Sequence, residues 1–437
     1  MNGRKKRGFS LGTVVMGVLT LLVLGGSALV MSRLSGGATV DLNAVASEVV
    51  NLAQGNESGS GEEIPLIRKS AENASDSAGK SAPAAVIKEP TNQRERASFT
   101  LTVGGVMSLA GEVRKNSLSA DTKKYDYSDV LMMLESDFHA DLNGVFLENL
   151  LSDTTKITDT VAPENVGDVL KHAGINLVAC GFPKAFDQGE KGISETRMAL
   201  MERSILPMGL READEQETFT IRTVNGCQVA LLQYTDGVSA SVRKTMKKNG
   251  LEDMIPAAEE ARIVSEIRAA REQGAQAVIV MLHWGKTGKA PEKAQVSLAT
   301  AIAEAGADLI IGAGSRQPQG AEYLTGPEGR RVLCCWSLGS LITGDRGNVR
   351  RIAGYLLHAT FRMDADGARL EKAEYTPVYT WKFKQDGSYY YRCVAADQPA
   401  PDGMDNEQKT NMEKALSATQ TALSGSPVTQ CLTDSAQ

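Results

Sequence analysis

The chain has 437 residues, 42% of them hydrophobic and 23% charged, with a formal net charge of −6 at pH 7. That length and apolar content allow one large folded domain with appendages, and the acidic balance excludes a general nucleic-acid binder, which needs a basic footprint. Six cysteines, none in a C-x-x-C pair, exclude zinc-ribbon and thioredoxin readings.

Residues 1–8 form a basic N-terminus carrying Arg4, Lys5, Lys6 and Arg7. Residues 9–32 carry no charge and are strongly apolar from Thr13 to Met31. About 20 such residues cross a bilayer as a helix. The preceding cations keep the N-terminus in the cytoplasm, so the segment reads as a single-pass signal-anchor in the cell membrane with the rest of the chain extracytoplasmic. The competing reading is a cleavable signal peptide with a cut near Ser27-Ala28 or Gly37-Ala38, for which the apolar run is long. Residues 33–96 are rich in Gly, Ser, Ala, Asn and Glu. They hold too little apolar surface to offset ordering entropy and read as a disordered linker, with a root-mean-square reach of roughly 40–45 Å.

From residue 97 to 362 strands and helices alternate. Phe99–Val103 alternates like a strand, and Tyr127–Phe138 has helical apolar spacing. Val145–Leu147 and Ile175–Cys180 read as short buried strands. Phe219–Val224 and Cys227–Tyr234 flank Asn225-Gly226 and predict a hairpin with a two-residue turn. A helix near Pro256–Gln273, a strand Ala277–Leu282, a helix Lys293–Ala305 and a strand Asp308–Gly312 follow. Val332–Trp336 and Arg351–Phe361 are further strands. The pattern predicts an α/β sandwich, two β-sheets flanked by helices. Residues 363–437 read as extra hairpins, with a turn at Lys384-Gln385-Asp386-Gly387, then an amphipathic helix Asn406–Leu423 and a polar tail. A Cys393–Cys431 disulfide is compatible with an extracytoplasmic location.

Four histidines are present. His139 and His172 fall on predicted helices and His358 inside a late strand, where a structural role is expected. His283 differs, because Val278–Leu282 delivers it to the point where a strand empties into a Gly-containing loop, His283-Trp284-Gly285. Such strand ends suit ligand sites, since neighbouring loops share one crevice there. The most basic run, Arg243-Lys244-Thr245-Met246-Lys247-Lys248, reads as a solvated helix face, with contact to an acidic polymer or anionic headgroups as the alternative. No G-x-S-x-G, Walker A, or post-strand G-x-G-x-x-G motif appears.

The landmarks Gly104-Gly105, Phe146-Leu147-Glu148, Phe182-Pro183-Lys184, His283-Trp284-Gly285, Gly314-Ser315-Arg316 and Ser337-Leu338-Gly339-Ser340-Leu341 occur in the order of the CapA-type poly-γ-glutamate capsule-synthesis family. The resemblance covers roughly 97–362 and implies a metallophosphatase-like (calcineurin-like) fold. Asp187-Gln188-Gly189, Gly192 and Thr196 resemble a further family stretch, which reads here as turn and cap chemistry.

In the resembled family His283 is a metal ligand and Glu148 stands at an acidic position. The other positions depart from the pattern. Gly105 replaces an aspartate, Phe182 and Lys184 replace Asn and His, and Gly314 and Arg316 replace two histidines. A two-metal hydrolytic site needs four to six converging ligands, so no cofactor is expected. The alternative is one divalent ion, Mn or Zn, on Glu148 and His283. Lys184 and Arg316 form a candidate metal-free anion site, in which fixed cations stand in for metal ions. Their joint removal is expected to leave folding intact.

The resemblance implies a role in poly-γ-glutamate or other cell-surface polymer synthesis, export or anchoring. Here that role is expected as a catalytically degenerate binding or scaffold module. Expected partners are the membrane, an acidic cell-surface polymer and envelope synthesis proteins. The alternative is a weakened metal-dependent hydrolase, a phosphoesterase or γ-glutamyl amide hydrolase, using Glu148 and His283.

Overall fold

The computed structural model describes residues 97–431, apart from 216–218 and 365–366. The anchor expected at 9–32 and the linker expected at 33–96 lie outside the described residues.

In chain order the strands are β1 (Ser98–Met107), β2 (Leu142–Leu147), β3 (Leu150–Leu151), β4 (Val161–Ala162), β5 (Leu177–Ala179), β6 (Leu206–Met208), β7 (Thr220–Val224) and β8 (Cys227–Thr235). They continue with β9 (Ala277–His283), β10 (Leu309–Ala313), β11 (Ala321–Thr325), β12 (Arg331–Cys335), β13 (Ser340–Ile342), β14 (Ala353–Asp364), β15 (Gly367–Gln385), β16 (Ser388–Ala395) and β17 (Thr429–Gln430). One sheet has the order β16-β15-β14-β1-β2-β5-β6, with β13 joined to β1 and β17 to β15. The other has the order β11-β12-β10-β9-β8-β7.

The sheets stack face to face. Leu101, Val103 and Val106 of β1 share one buried cluster with Leu231, Ile279, Met281 and Ile311 of the second sheet. Alternate residues Val278, Val280 and Leu282 point to the opposite face, where they pack with Ile263, Ile267 and Ile302 of helices Glu260–Glu272 and Lys293–Glu304. Burial on both faces is why β9 is apolar throughout instead of alternating. The outer face of the first sheet is covered by Val166, Leu170, Ile193 and Leu200 of two further helices. The result is a mixed α/β fold with sheets flanked by helices.

Asn225 and Gly226 both have positive φ, 49° and 81°, between the paired ends of β7 and β8. Asp386 and Gly387 do the same between β15 and β16. Such turns need left-handed backbone at both centres, which Asn, Asp and Gly supply. Both β15 and β16 extend the first sheet, and helix Asn406–Leu423 packs Met412 and Ala415 against Trp381 and Phe383 of β15.

Two sequence expectations are corrected. The stretch Tyr127–Phe138 is not an α-helix but a loop with a 3-10 turn at Met132–Asp137, so His139 is exposed beyond it. Cys393 and Cys431 are free thiols. They meet β15 at different places, Cys393 opposite Thr380 and Cys431 bonded to Tyr375. That offset is roughly 16 Å along a strand, beyond the span of a disulfide.

Candidate functional site

Strands β1, β2 and β5 run parallel in one sheet, and β8, β9 and β10 run parallel in the other. Their C-terminal ends therefore open on common edges, where irregular loops can meet. A cavity of about 410 Å³ lies there, lined by Glu148 after β2, Lys184 after β5, Asp236 after β8, His283 at the end of β9 and Arg316 after β10. The four site residues read from the sequence, His283, Glu148, Lys184 and Arg316, thus face one cavity.

Backbone bonds fix each position. The N–H of Glu148 donates to Met107 O at 3.0 Å, tying the β2 exit to β1. Trp284 N–H donates to Ala313 O at 2.8 Å, and its indole donates to Trp336 O at 3.1 Å. The two tryptophan rings stack with centroids 5.6 Å apart. Those contacts hold the loop that follows His283. Arg316 sits at φ 57°, a left-handed conformation that a long side chain adopts only when its surroundings impose it.

At the centre is a buried Glu148 carboxylate. Its Oε1 lies 2.9 Å from His283 Nε2, and its Oε2 accepts from the Arg316 guanidinium. Burial alone raises a carboxyl pKa, but the His283 hydrogen bond and charge, with the Arg316 cation, hold Glu148 below the usual carboxylate value. His283 Nδ1 is buried and, among the described residues, has no hydrogen-bond partner.

Lys184 is exposed on the Phe182–Ala185 turn and, among the described residues, has no ion pair or hydrogen bond to its ammonium. Arg316 is neutralised internally and Lys184 is not.

Asp236 was not singled out from the sequence. Its Oδ2 accepts from Gly285 N–H at 3.1 Å. Loss of water at the cavity wall raises its carboxyl, against that N–H and the nearby His283. An acid before a glycine at a strand end, Thr235-Asp236-Gly237, was the available signal. Asp159 also lines the cavity, but it is held by Gly111 N–H and Arg114, both at 2.9 Å.

The residues present do not fit a two-metal centre. Among the described residues, no group of three or more His, Cys, Asp or Glu side chains is placed to hold an ion. A side chain at position 105 has no room, because its Cβ would fall 2.3 Å from Gly339 O. At position 314, where φ is 111°, a Cβ would fall 2.6 Å from Trp284 O. The guanidinium of Arg316 occupies the charge-balancing role beside Glu148 that an ion would fill.

Other stretches have local roles. Thr196 is not a cap as expected: it lies inside helix Gly189–Met201, where its Oγ donates back to Gly192 O and accepts from Leu151 N–H, tying the helix to β3. His358 is held between Thr102 and Thr376 at 3.0 Å each, inside β14. The basic run lies on helix Ala240–Lys248, with Met246 buried and Lys244, Lys247 and Lys248 exposed.

Comparison with known proteins gives a consistent set. The family model described as "Bacterial capsule synthesis protein PGA_cap" matches residues 100–345. The chain is 27% identical over 232 residues to capsule biosynthesis protein CapA of Bacillus anthracis, covering 51% of this chain and 56% of that protein. It is 26% identical over 215 residues to PGA biosynthesis protein CapA of Bacillus subtilis (strain 168), covering 48% and 52% respectively. The chain thus spans about half the length of the curated relatives it matches. Similar solved structures include the calcineurin-like phosphoesterase YfkN from Bacillus subtilis, at TM-score 0.39 and 12% identity, covering 75% of this chain and 98% of that one. A hypothetical protein from Thermus thermophilus aligns at TM-score 0.38 and 14% identity, covering 64% and 98%. TM-scores below 0.5 leave these as likenesses only.

Proposed function

The chain belongs to the bacterial capsule synthesis protein PGA_cap family, and from that membership we propose that it is a metal-free binding module for an acidic cell-surface polymer such as poly-γ-glutamate. The module works at the outer face of the cell membrane, held there by the apolar segment at 9–32 and the linker at 33–96. It assists polymer synthesis, export or anchoring and does not itself cleave the chain. Its metallophosphatase-like scaffold supplies the crevice, not the chemistry.

One observation carries this reading. Glu148 is charge-balanced by Arg316 and hydrogen-bonded to His283, which leaves Lys184, among the described residues, as an unpaired cation on the same cavity. A carboxylate entering the cavity meets Lys184 as a charge-assisted partner.

The test is binding of poly-γ-glutamate to the full chain in excess chelator, alongside metal analysis of the purified protein. Salt-sensitive binding that persists in chelator supports the module. Near-stoichiometric bound metal together with cleavage of a generic phosphodiester would replace it with the hydrolase reading on Glu148 and His283.

A further inference from the structure

Beyond residue 345, where the family match ends, the β15–β16 hairpin carries a file of cations on one face. Lys382 pairs with Tyr391 across the strands and Lys384 with Tyr389, so all four side chains share that face. Lys382 Nζ lies 4.2 Å from the Tyr389 ring centroid and Lys384 Nζ lies 5.7 Å from it. The Arg346 guanidinium sits 5.3 Å from the Tyr391 ring. Among the described residues none of these three cations is in a salt bridge. Glu112, the carboxylate that reaches Lys382, is already held by Lys115 at 2.8 Å.

The file is continuous with the crevice. Gly344, two residues before Arg346, lies beside the backbone of Ala110 and Glu112, where an added Cβ would fall 3.5 Å from Ala110 O and 3.4 Å from Glu112 N, and Ala110 lines the crevice. From there the order is Arg346, Lys382, Tyr389, Lys384, with Tyr391 buried beneath Arg346 and Lys382.

We propose that this cation–tyrosine face is a second contact surface for a linear polycarboxylate, which leaves the crevice past Gly344 and runs along the hairpin. This rests on the crevice reading given above. Lys382 and Lys384 are spaced about 7 Å apart along the strand, so successive carboxylates of an extended chain find successive cations. The Tyr389 ring, 42% exposed, offers an apolar surface to the aliphatic carbons between carboxylates. A single file one hairpin wide fits a chain better than a membrane surface, which is met by a broad basic cluster. Cations held over aromatic rings are also partly pre-positioned, which lowers the ordering cost of binding.

The experiment compares long poly-γ-glutamate with a γ-glutamyl trimer on the full chain, using the parent, Lys382→Gln with Lys384→Gln, the matching Lys→Arg pair, and Lys184→Ala. The parent is expected to bind the long polymer more tightly than the trimer. The double glutamine variant should lose about five- to tenfold in long-polymer affinity, keep trimer affinity, and melt at the parent's temperature. The arginine pair should retain the parent's affinity. Lys184→Ala should weaken both ligands. Equal parent affinity for trimer and polymer, or an unchanged long-polymer affinity in the glutamine variant, overturns the hairpin surface and leaves the crevice reading standing. Loss of long-polymer binding in the glutamine variant with no effect of Lys184→Ala overturns the crevice reading and keeps the hairpin. If the glutamine variant instead loses binding only to phosphatidylglycerol vesicles, the surface is a lipid contact and the proposal is wrong.

Discussion

His283 Nε2 lies 2.9 Å from Glu148 Oε1, while the other ring nitrogen of the same histidine is buried and, among the described residues, without a partner. With Arg316 on its second oxygen, the Glu148 carboxylate joins loops from both sheets. The two cations expected to act together are therefore not equivalent. Arg316 is part of the crevice wall, and Lys184, among the described residues, has no such partner.

Arg316→Ala should destabilise the fold, contrary to the expectation that both cations could be removed without cost. It removes the guanidinium from a buried carboxylate that keeps only the His283 bond, a loss of about 3 kcal/mol. Lys184→Ala, at an exposed turn, should change stability by less than ~0.5 kcal/mol. Urea unfolding of the two single variants separates these roles.

The depressed Glu148 pKa sets one pH dependence. Its stabilising contribution is complete above the ordinary value of 4.5 and is lost as pH falls through the lower folded-state value. Glu148→Gln should be less stable than the parent near neutral pH, with the gap narrowing on acidification below 4.5. A gap that stays constant to the acid limit would show that the carboxylate is not charge-paired.

A second pH dependence comes from a groove lined by Thr102 of β1, His358 of β14, Thr376 of β15 and Asp137. Burial pushes His358 down to about 4 from 6.5. Its contribution is fully present above 6.5 and is lost as pH falls toward about 4, on the order of 2–3 kcal/mol. Burial pushes Asp137 up to about 6 from 3.8, helped by Asp397 and opposed by His139. Its contribution has the opposite sign, present below 3.8 and lost as pH rises through about 6. His358→Gln, which can still bond Thr102 and Thr376, should flatten the acid side of the stability profile, and Asp137→Asn should raise stability near neutral pH. Melting temperatures between pH 4 and 7.5 check both.

Restoring metal ligands at Gly105 or Gly314 should not restore a metal site. Gly105→Asp forces a Cβ onto Gly339 O and should cost about 3 kcal/mol. Neither Gly105→Asp nor Gly314→His should gain melting temperature with Mn²⁺ or Zn²⁺, and chelator should leave the parent unchanged. A drop of several degrees in the parent on chelation, reversed by either ion, would show a living metal site.

Much of this was legible in sequence for identifiable reasons. The run Val278–Leu282 and the Asn225-Gly226 pair each carry one physical demand, burial on both faces and a left-handed turn, so their structures followed. The stretch Tyr127–Phe138 misled because Tyr127, Val130, Leu131, Leu134 and Phe138 are all buried at helix-like spacing. Asp126 instead accepts the Ser128 N–H at 2.9 Å and makes a turn there. Asp236 carried a local signal, an acid before a glycine at a strand end, but its place beside His283 follows from the parallel register that pairs Thr235 with His283. The division of labour between Arg316 and Lys184 depended on which loop reaches Glu148, and no local pattern encodes that.

The central claim is that Lys184, and not a metal ion, receives an acidic polymer in the crevice. Titrating poly-γ-glutamate into the full chain and into Lys184→Ala, in excess chelator and at several salt concentrations, tests it directly. The account predicts that the parent binds, that binding weakens with salt, and that Lys184→Ala binds more weakly with a shallower salt dependence at unchanged stability. Equal binding by the two proteins, or parent binding that appears only when a divalent metal is supplied, would contradict it.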